Sequence, residues 1–136
     1  MTKHMPTIQK FMTCDPVYVQ TDCTLHDAIN LMDQKNIHHL PVVDSGKVYG
    51  IISMRDIKYA QGIISLDPKT ATVAELCQTH VYTASPDTLL DEVAGEMAEH
   101  HYGSAVVVQN DKLVGIFTLP DLCQALLKIL HDRYHA

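Results

Sequence analysis

Two short stretches place a hydroxyl and a carboxylate at the same spacing, Ser53-Met54-Arg55-Asp56 and Thr118-Leu119-Pro120-Asp121. Each follows a glycine and two apolar residues, Gly50-Ile51-Ile52 in the first and Gly115-Ile116-Phe117 in the second. An apolar run leading into a hydroxyl-x-x-acid predicts a strand that passes straight into a helix N-terminus. Two chemistries are open to such a junction. Ser53 and Thr118 can act as N-caps with Asp56 and Asp121 at the third helical position, where an acid favours the orphan N–H groups and the positive end of the helix dipole. A helix start beside a strand end can also hold an anion, the hydroxyl serving a phosphate and the carboxylate serving sugar hydroxyls. The motif alone does not separate the two.

The elements that must position these residues are also duplicated. A single offset of 65 residues, from Asp56 to Asp121, runs through the chain without a gap and pairs Leu25 with Leu90, Met32 with Met97, Val42-Val43 with Val107-Val108, and Gly50 with Gly115. Thr7 to Met12 and Thr72 to Cys77 predict short leading helices. Asp15-Pro16 then opens a short strand at Val17-Tyr18-Val19, matched by Tyr82-Thr83-Ala84 ahead of Pro86. Leu25, Ala28, Ile29 and Met32 follow a Thr24 cap at helical spacing, and Leu90, Val93, Ala94, Met97 and Ala98 repeat them. Methionine at this spacing is core filling. Gly95 inside the second of these helices suggests a close contact there. The hairpin Leu40-Pro41-Val42-Val43, Asp44-Ser45-Gly46, Lys47 to Ile52 has a second copy from Ala105 to Phe117, and its continuous apolar runs predict strands buried on both faces. Helices from Met54 to about Tyr59 and from Leu119 to Leu130 or beyond close the two copies. The fold class is therefore α/β (α+β), with two β-α-β-β-α repeats over 7–61 and 72–131 and a short linker over 62–71. Copies of this size are marginal alone, so a shared core is expected.

The bulk properties bound the function. The 136 residues carry a formal charge of −6, which argues against a general nucleic-acid binder. No apolar run of about 18 residues is present, and Met1 to Pro6 lacks a signal-like apolar core, so neither a membrane span nor a leader is read and a cytoplasmic protein is expected. Cys14, Cys23, Cys77 and Cys123 show no C-x-x-C spacing and fit reduced, mostly packed thiols. On the closing helix Leu122, Leu126, Ile129 and Leu130 form one apolar face with Leu127 beside it, more than one packing layer covers, which predicts a homodimer.

With the doubled glycine-to-acid motif and Leu40-Pro41-Val42-Val43-Asp44, the chain resembles a tandem pair of cystathionine-β-synthase (CBS) domains, the Bateman module. The second copy, Ala105-Val106-Val107-Val108-Gln109, lacks the proline and the acid of that strand. The resemblance implies a regulatory fold without catalysis, the repeats packed sheet to sheet about a pseudo-twofold axis. It further implies two clefts of a kind that in many members bind AMP, ADP, ATP or S-adenosylmethionine. On that likeness Asp56 and Asp121 would take ribose hydroxyls, Ser53 and Thr118 would lie by the sugar or phosphate, and His38 and His39 would face phosphate. Tyr82 and Tyr102-Gly103-Ser104 of the opposite repeat would edge the adenine, while Asp121 and Thr118 would be paired with Val17 and Ile37-His38. Arg55 and Lys58 make the Asp56 site the better one for phosphate. The output would pass to an effector protein whose identity the sequence does not give, and purely structural dimerisation is the alternative.

Other chemistries find less support. His38-His39 on a strand would point to opposite faces, and neither that pair nor His100-His101 shows an acid or cysteine at ligand spacing, so no metal is expected. No nucleophile elbow, phosphate-binding glycine loop or zinc-protease motif is present, and no cofactor is expected.

Overall fold

The computed structural model describes residues 4–135; Met1 to Lys3, part of the N-terminal stretch read above, and Ala136 lie outside the described residues. A 3-10 turn at Ile8–Lys10 is followed by β1 (Thr13–Cys14), β2 (Val19–Gln20), α1 (Leu25–Lys35), β3 (His39–Asp44), β4 (Lys47–Ser53) and α2 (Met54–Ile63). The second copy continues with α3 (Val73–Leu76), β5 (Thr83–Ala84), α4 (Leu90–His100), β6 (Ser104–Gln109), β7 (Lys112–Thr118) and α5 (Leu119–Tyr134). The expected order of elements is present twice, with three differences in the first copy: its leader is a 3-10 turn and not a helix, β1 is an added strand without a counterpart, and the strand expected at Val17 to Val19 lies at Val19–Gln20. Helix α2 runs further than expected, carrying Gly62 and Ile63, so the connection to the second copy begins only at Ile64.

The chain folds into two compact units, one of Val17–Val81 and the other of the segment up to Pro16 together with Tyr82 onward. Sequence copy and compact unit therefore contain different residues. In the first unit the sheet has the order β2-β3-β4, and in the second β1-β7-β6-β5. Hairpin registers match residue for residue: His39 faces Ser53 and Ser104 faces Thr118, with an irregularity at Val42/Val43 and again at Val107/Val108. One core cluster gathers Leu25, Met32, Leu40, Val42, Ile52 and Ile57 with Ala71 and Val73, and the other gathers Leu90, Val93, Met97, Val107 and Phe117 with Ile8. The apolar residues thus form two clusters where one was expected, and each cluster is completed by the leader of the other copy.

That exchange has a local cause in backbone hydrogen bonding. The first N–H of α1, on Leu25, donates to Ala71 O at 2.9 Å, and the first N–H of α4, on Leu90, donates to Pro6 O at 2.8 Å. The leader carbonyls satisfy donors that a helix start leaves without intrahelical partners. Downstream, β1 pairs with β7 at Thr13↔Ile116 and Cys14↔Gly115, and Gln78 bridges Ile51. A Cβ on Gly50 would lie 2.6 Å from Gln78 O, and one on Gly115 2.8 Å from Met12 Sδ. The glycines that open the two motifs are the places where a leader lies against bare backbone.

Gly95 and the hairpin strands also differ from expectation. A Cβ at Gly95 meets nothing within 4 Å, so no close contact explains that glycine; it sits on the exposed face of α4, where a packing neighbour is not required. Burial on both faces holds for Leu40 to Val43 and Ala105 to Val107, but not along the whole of β4 or β7, whose first residues, next to the turns, are exposed or only partly covered.

Candidate functional site

Ser53 is the N-cap of α2, and its Oγ accepts from Asp56 N at 3.1 Å. The Asp56 carboxylate does not turn back to the cap. Its Oδ2 accepts from Gln78 Nε2 at 3.3 Å, and among the described residues Oδ1 has no hydrogen-bond partner. Asp56 is half-buried beside the start of β3, where Met54 N donates to His38 O at 2.9 Å and His39 stands opposite Ser53. Burial pushes the His39 imidazole below its usual pKa range, the charge of His38 pushes the same way, and the Asp56 carboxylate opposes both. Arg55 and Lys58 are exposed on α2, and Val17 and Ile37 pack against the core of this unit.

The equivalent junction in the other unit is closed. Asp121 Oδ2 accepts from Thr118 N at 2.9 Å and from Thr118 Oγ1 at 3.1 Å, the reach-back of an acid to its own N-cap. Thr13 Oγ1 lies 3.5 Å from both carboxylate oxygens. Leu119 N donates to Gly103 O at 3.3 Å, and Ser104 takes the place that His39 holds in the first unit. Tyr82 and Tyr102 stack with centroids 5.1 Å apart, and His100 stacks on Tyr102 at 5.2 Å. Burial, followed by the nearby Glu96 and Glu92 carboxylates, raises the Tyr82 phenol above its usual range.

The site residues read from the sequence thus fall into two sets. Val17, Ile37, His38, His39, Ser53, Arg55 and Asp56 belong to the first unit, and Tyr82, Tyr102, Gly103, Ser104, Thr118 and Asp121 to the second. Sequence reading missed Thr13 and Gln78, the leader residues that touch the two acids. The repeat offset itself pairs Thr13 with Gln78, which was the available signal.

The described cysteines are all free; Cys23 and Cys77 are half-buried, while Cys14 and Cys123 are exposed, so only two of the four are packed. His100 does have acids at ligand spacing, contrary to expectation. Glu96, Glu99 and His100 bring ligand atoms within 4.8 Å of one another on an exposed helix end, because residues three and four apart share a helix face. No described helix is long and apolar enough to cross a membrane.

The sequence pattern of the CBS domain matches residues 8–63 and again 73–128. The chain belongs to the CBS domain family and is a tandem pair of such domains. The protein AcuB of Vibrio cholerae has the same fold at a TM-score of 0.86 with 34% identity, 98% of each chain being covered. The CBS domain pair of protein MJ0100, solved with 5-methylthioadenosine and S-adenosyl-L-methionine, is 26% identical at a TM-score of 0.83 over 93% of this chain and 99% of that one. CBSX2 in complex with AMP is 26% identical at a TM-score of 0.81 over 91% of this chain and 98% of that one.

Proposed function

We propose that this CBS pair is a regulatory module that binds an adenosine-containing ligand and passes the bound state to a partner protein in the cytoplasm, without catalysing a reaction. The observation that carries the reading is the half-buried Asp56 carboxylate, which lies at a strand-to-helix junction and is not spent on its own N-cap. An ionised carboxylate with an unengaged oxygen accepts hydroxyl donors through charge-assisted hydrogen bonds. Asp56 would take the ribose, with Ser53 next to the sugar and His38, His39 and Arg55 on the phosphate side. Similarity to a pair bound to S-adenosyl-L-methionine and to one bound to AMP supports the ligand class. Titrating the protein with AMP, ADP, ATP and S-adenosylmethionine in a calorimeter tests it. Binding of at least one of them more tightly than about 1 mM, some −4 kcal/mol, is expected, and binding of none sinks the reading.

The exposed side of α5 favours self-association as well. Leu126, Leu127, Ile129, Leu130 and Tyr134 are all exposed, Leu127 to 62% and Tyr134 to 70%. A second copy of the chain is the economical cover for such a face. Light scattering at micromolar concentration should give twice the 15.2 kDa chain mass, and a monomer alone would leave that face for the effector.

A further inference from the structure

Gln78 is pinned before its side chain is considered. Its N–H donates to Ile51 O and its carbonyl accepts from Ile51 N, both at 2.9 Å, and the missing Cβ of Gly50 admits its backbone against β4. From that fixed origin the amide reaches Asp56 Oδ2 at 3.3 Å. Thr13 holds the same place in the other unit, where Asp121 is folded back onto Thr118 instead. A glutamine amide that donates to one carboxylate oxygen still carries its own carbonyl oxygen as an acceptor. The hydrogen-bonded pair thus keeps two acceptors, Asp56 Oδ1 and Gln78 Oε1, a number that matches two neighbouring hydroxyl donors.

We infer that Gln78 is a positioning residue that keeps the Asp56 carboxylate out of the reciprocal helix cap and, with it, selects ligands carrying a vicinal diol. The inference rests on the adenosine reading above and deepens it. The leader residue decides whether a motif acid is available, glutamine leaving it open and threonine leaving it to close on its own N-cap.

The test compares AMP and S-adenosylmethionine with their 2′,3′-dideoxy analogues on the full chain by calorimetry, with melting curves as a check on folding. The wild type should prefer the diol form by tenfold or more. Gln78→Thr and the near-isosteric Gln78→Met should lower that ratio to within about threefold of unity while leaving the dideoxy affinity nearly unchanged, a pattern that a general loss of structure would not produce. Thr13→Gln should leave the ratio of the first site intact. A wild-type preference that survives in both Gln78 variants overturns the inference and leaves the adenosine reading standing. A wild type that binds AMP or S-adenosylmethionine without preferring the diol form also overturns the inference alone, and a wild type that binds none of AMP, ADP, ATP and S-adenosylmethionine overturns both.

Discussion

Asp56 and Asp121 occupy the same place in the same motif, on hairpins of matching register, yet their carboxylates do different work. Asp121 accepts from the N–H and hydroxyl of its own N-cap, so its charge is used in holding the start of α5. Asp56 accepts from a side-chain amide that the leader brings in, and one of its oxygens is left over. A capping box and a ligand site are therefore two settings of one junction, and the neighbour at the equivalent leader position, Thr13 or Gln78, accompanies the difference. The surroundings follow suit: the open acid has His39 across the ladder, and the closed acid has Thr118 facing Ser104.

The largest expected effect is a double dissociation between the two acids. Asp56→Ala removes charge-assisted hydrogen bonds to ligand hydroxyls worth about 1.5–3 kcal/mol, so affinity should fall tenfold or more with little change in stability. Asp121→Ala should do the reverse, costing about 1 kcal/mol of stability through the lost cap and leaving the first site nearly intact. Calorimetry and urea denaturation on both variants check this, and equal binding losses would erase the distinction drawn between the junctions. Next in size is the pair of motif glycines. Alanine at Gly50 meets the backbone carbonyl of Gln78 at 2.6 Å, which cannot swing aside, whereas at Gly115 the nearest atom is the flexible end of Met12 at 2.8 Å. Overpacking costs typically about 1–3 kcal/mol, and Gly50→Ala should fall near the upper end with Gly115→Ala near the lower, measured as shifts in the urea midpoint.

Much of this architecture was legible before any coordinates. The offset that joins Asp56 to Asp121 carries the elements with it, and Thr24, Ser53 and Thr118 are the N-caps that the spacing implied. The exchange of leaders was not legible, because periodicity records which residues share a face and not which copy that face packs against. Ile8 fits a helix-like turn in either unit, and its own N–H donating to Thr88 O at 2.9 Å, beside Leu90 N donating to Pro6 O, shows which one it joins. The difference between the acids escaped for a similar reason. Ser53-x-x-Asp56 and Thr118-x-x-Asp121 are chemically alike, and what accompanies their difference is 22 residues away from Asp56 and 108 away from Asp121.

A smaller effect separates the junctions by pH. Burial holds the His39 pKa below its ordinary value near 6.5, helped by His38 and opposed by Asp56, with Arg55 and Lys58 nearby on α2. The unfolded chain then binds more protons in this range than the folded one, so the contribution of His39 to stability is complete above about pH 6.5 and is lost as pH falls through its lowered folded pKa. A phosphate beside His39 favours the protonated ring and reverses the trend for binding. Affinity for AMP should rise as pH falls, by a few-fold, in a window displaced below pH 6.5 from the pH 8 to 6 range of an unperturbed histidine. Melting curves and calorimetry between pH 5 and 8 should show stability and affinity moving in opposite directions. His39→Ser, which copies Ser104, should flatten both, and affinity that stays level with pH in the wild type would move the phosphate away from this histidine.

The smallest effect lies on the helices that precede the hairpins, where Asn30 of α1 corresponds to Gly95 of α4. The Asn30 amide contacts the His26 ring at 3.2 Å one turn back, while Gly95 faces open space with no neighbour for a Cβ to strike. Glycine in an exposed helix interior gives up about 1 kcal/mol relative to alanine, largely because the unfolded chain is freer. Gly95→Ala should therefore stabilise the protein by about 0.4–1 kcal/mol, raising Tm by roughly 2–4 °C. Asn30→Ala gains helix propensity but loses the contact to His26, so its net effect should be close to zero. A destabilised Gly95→Ala would show that the outer face of α4 is covered in solution, by a ligand or by a second copy. If the cover is a second copy, the mass found by light scattering should fall with the same substitution, and if it is a ligand the mass should not change.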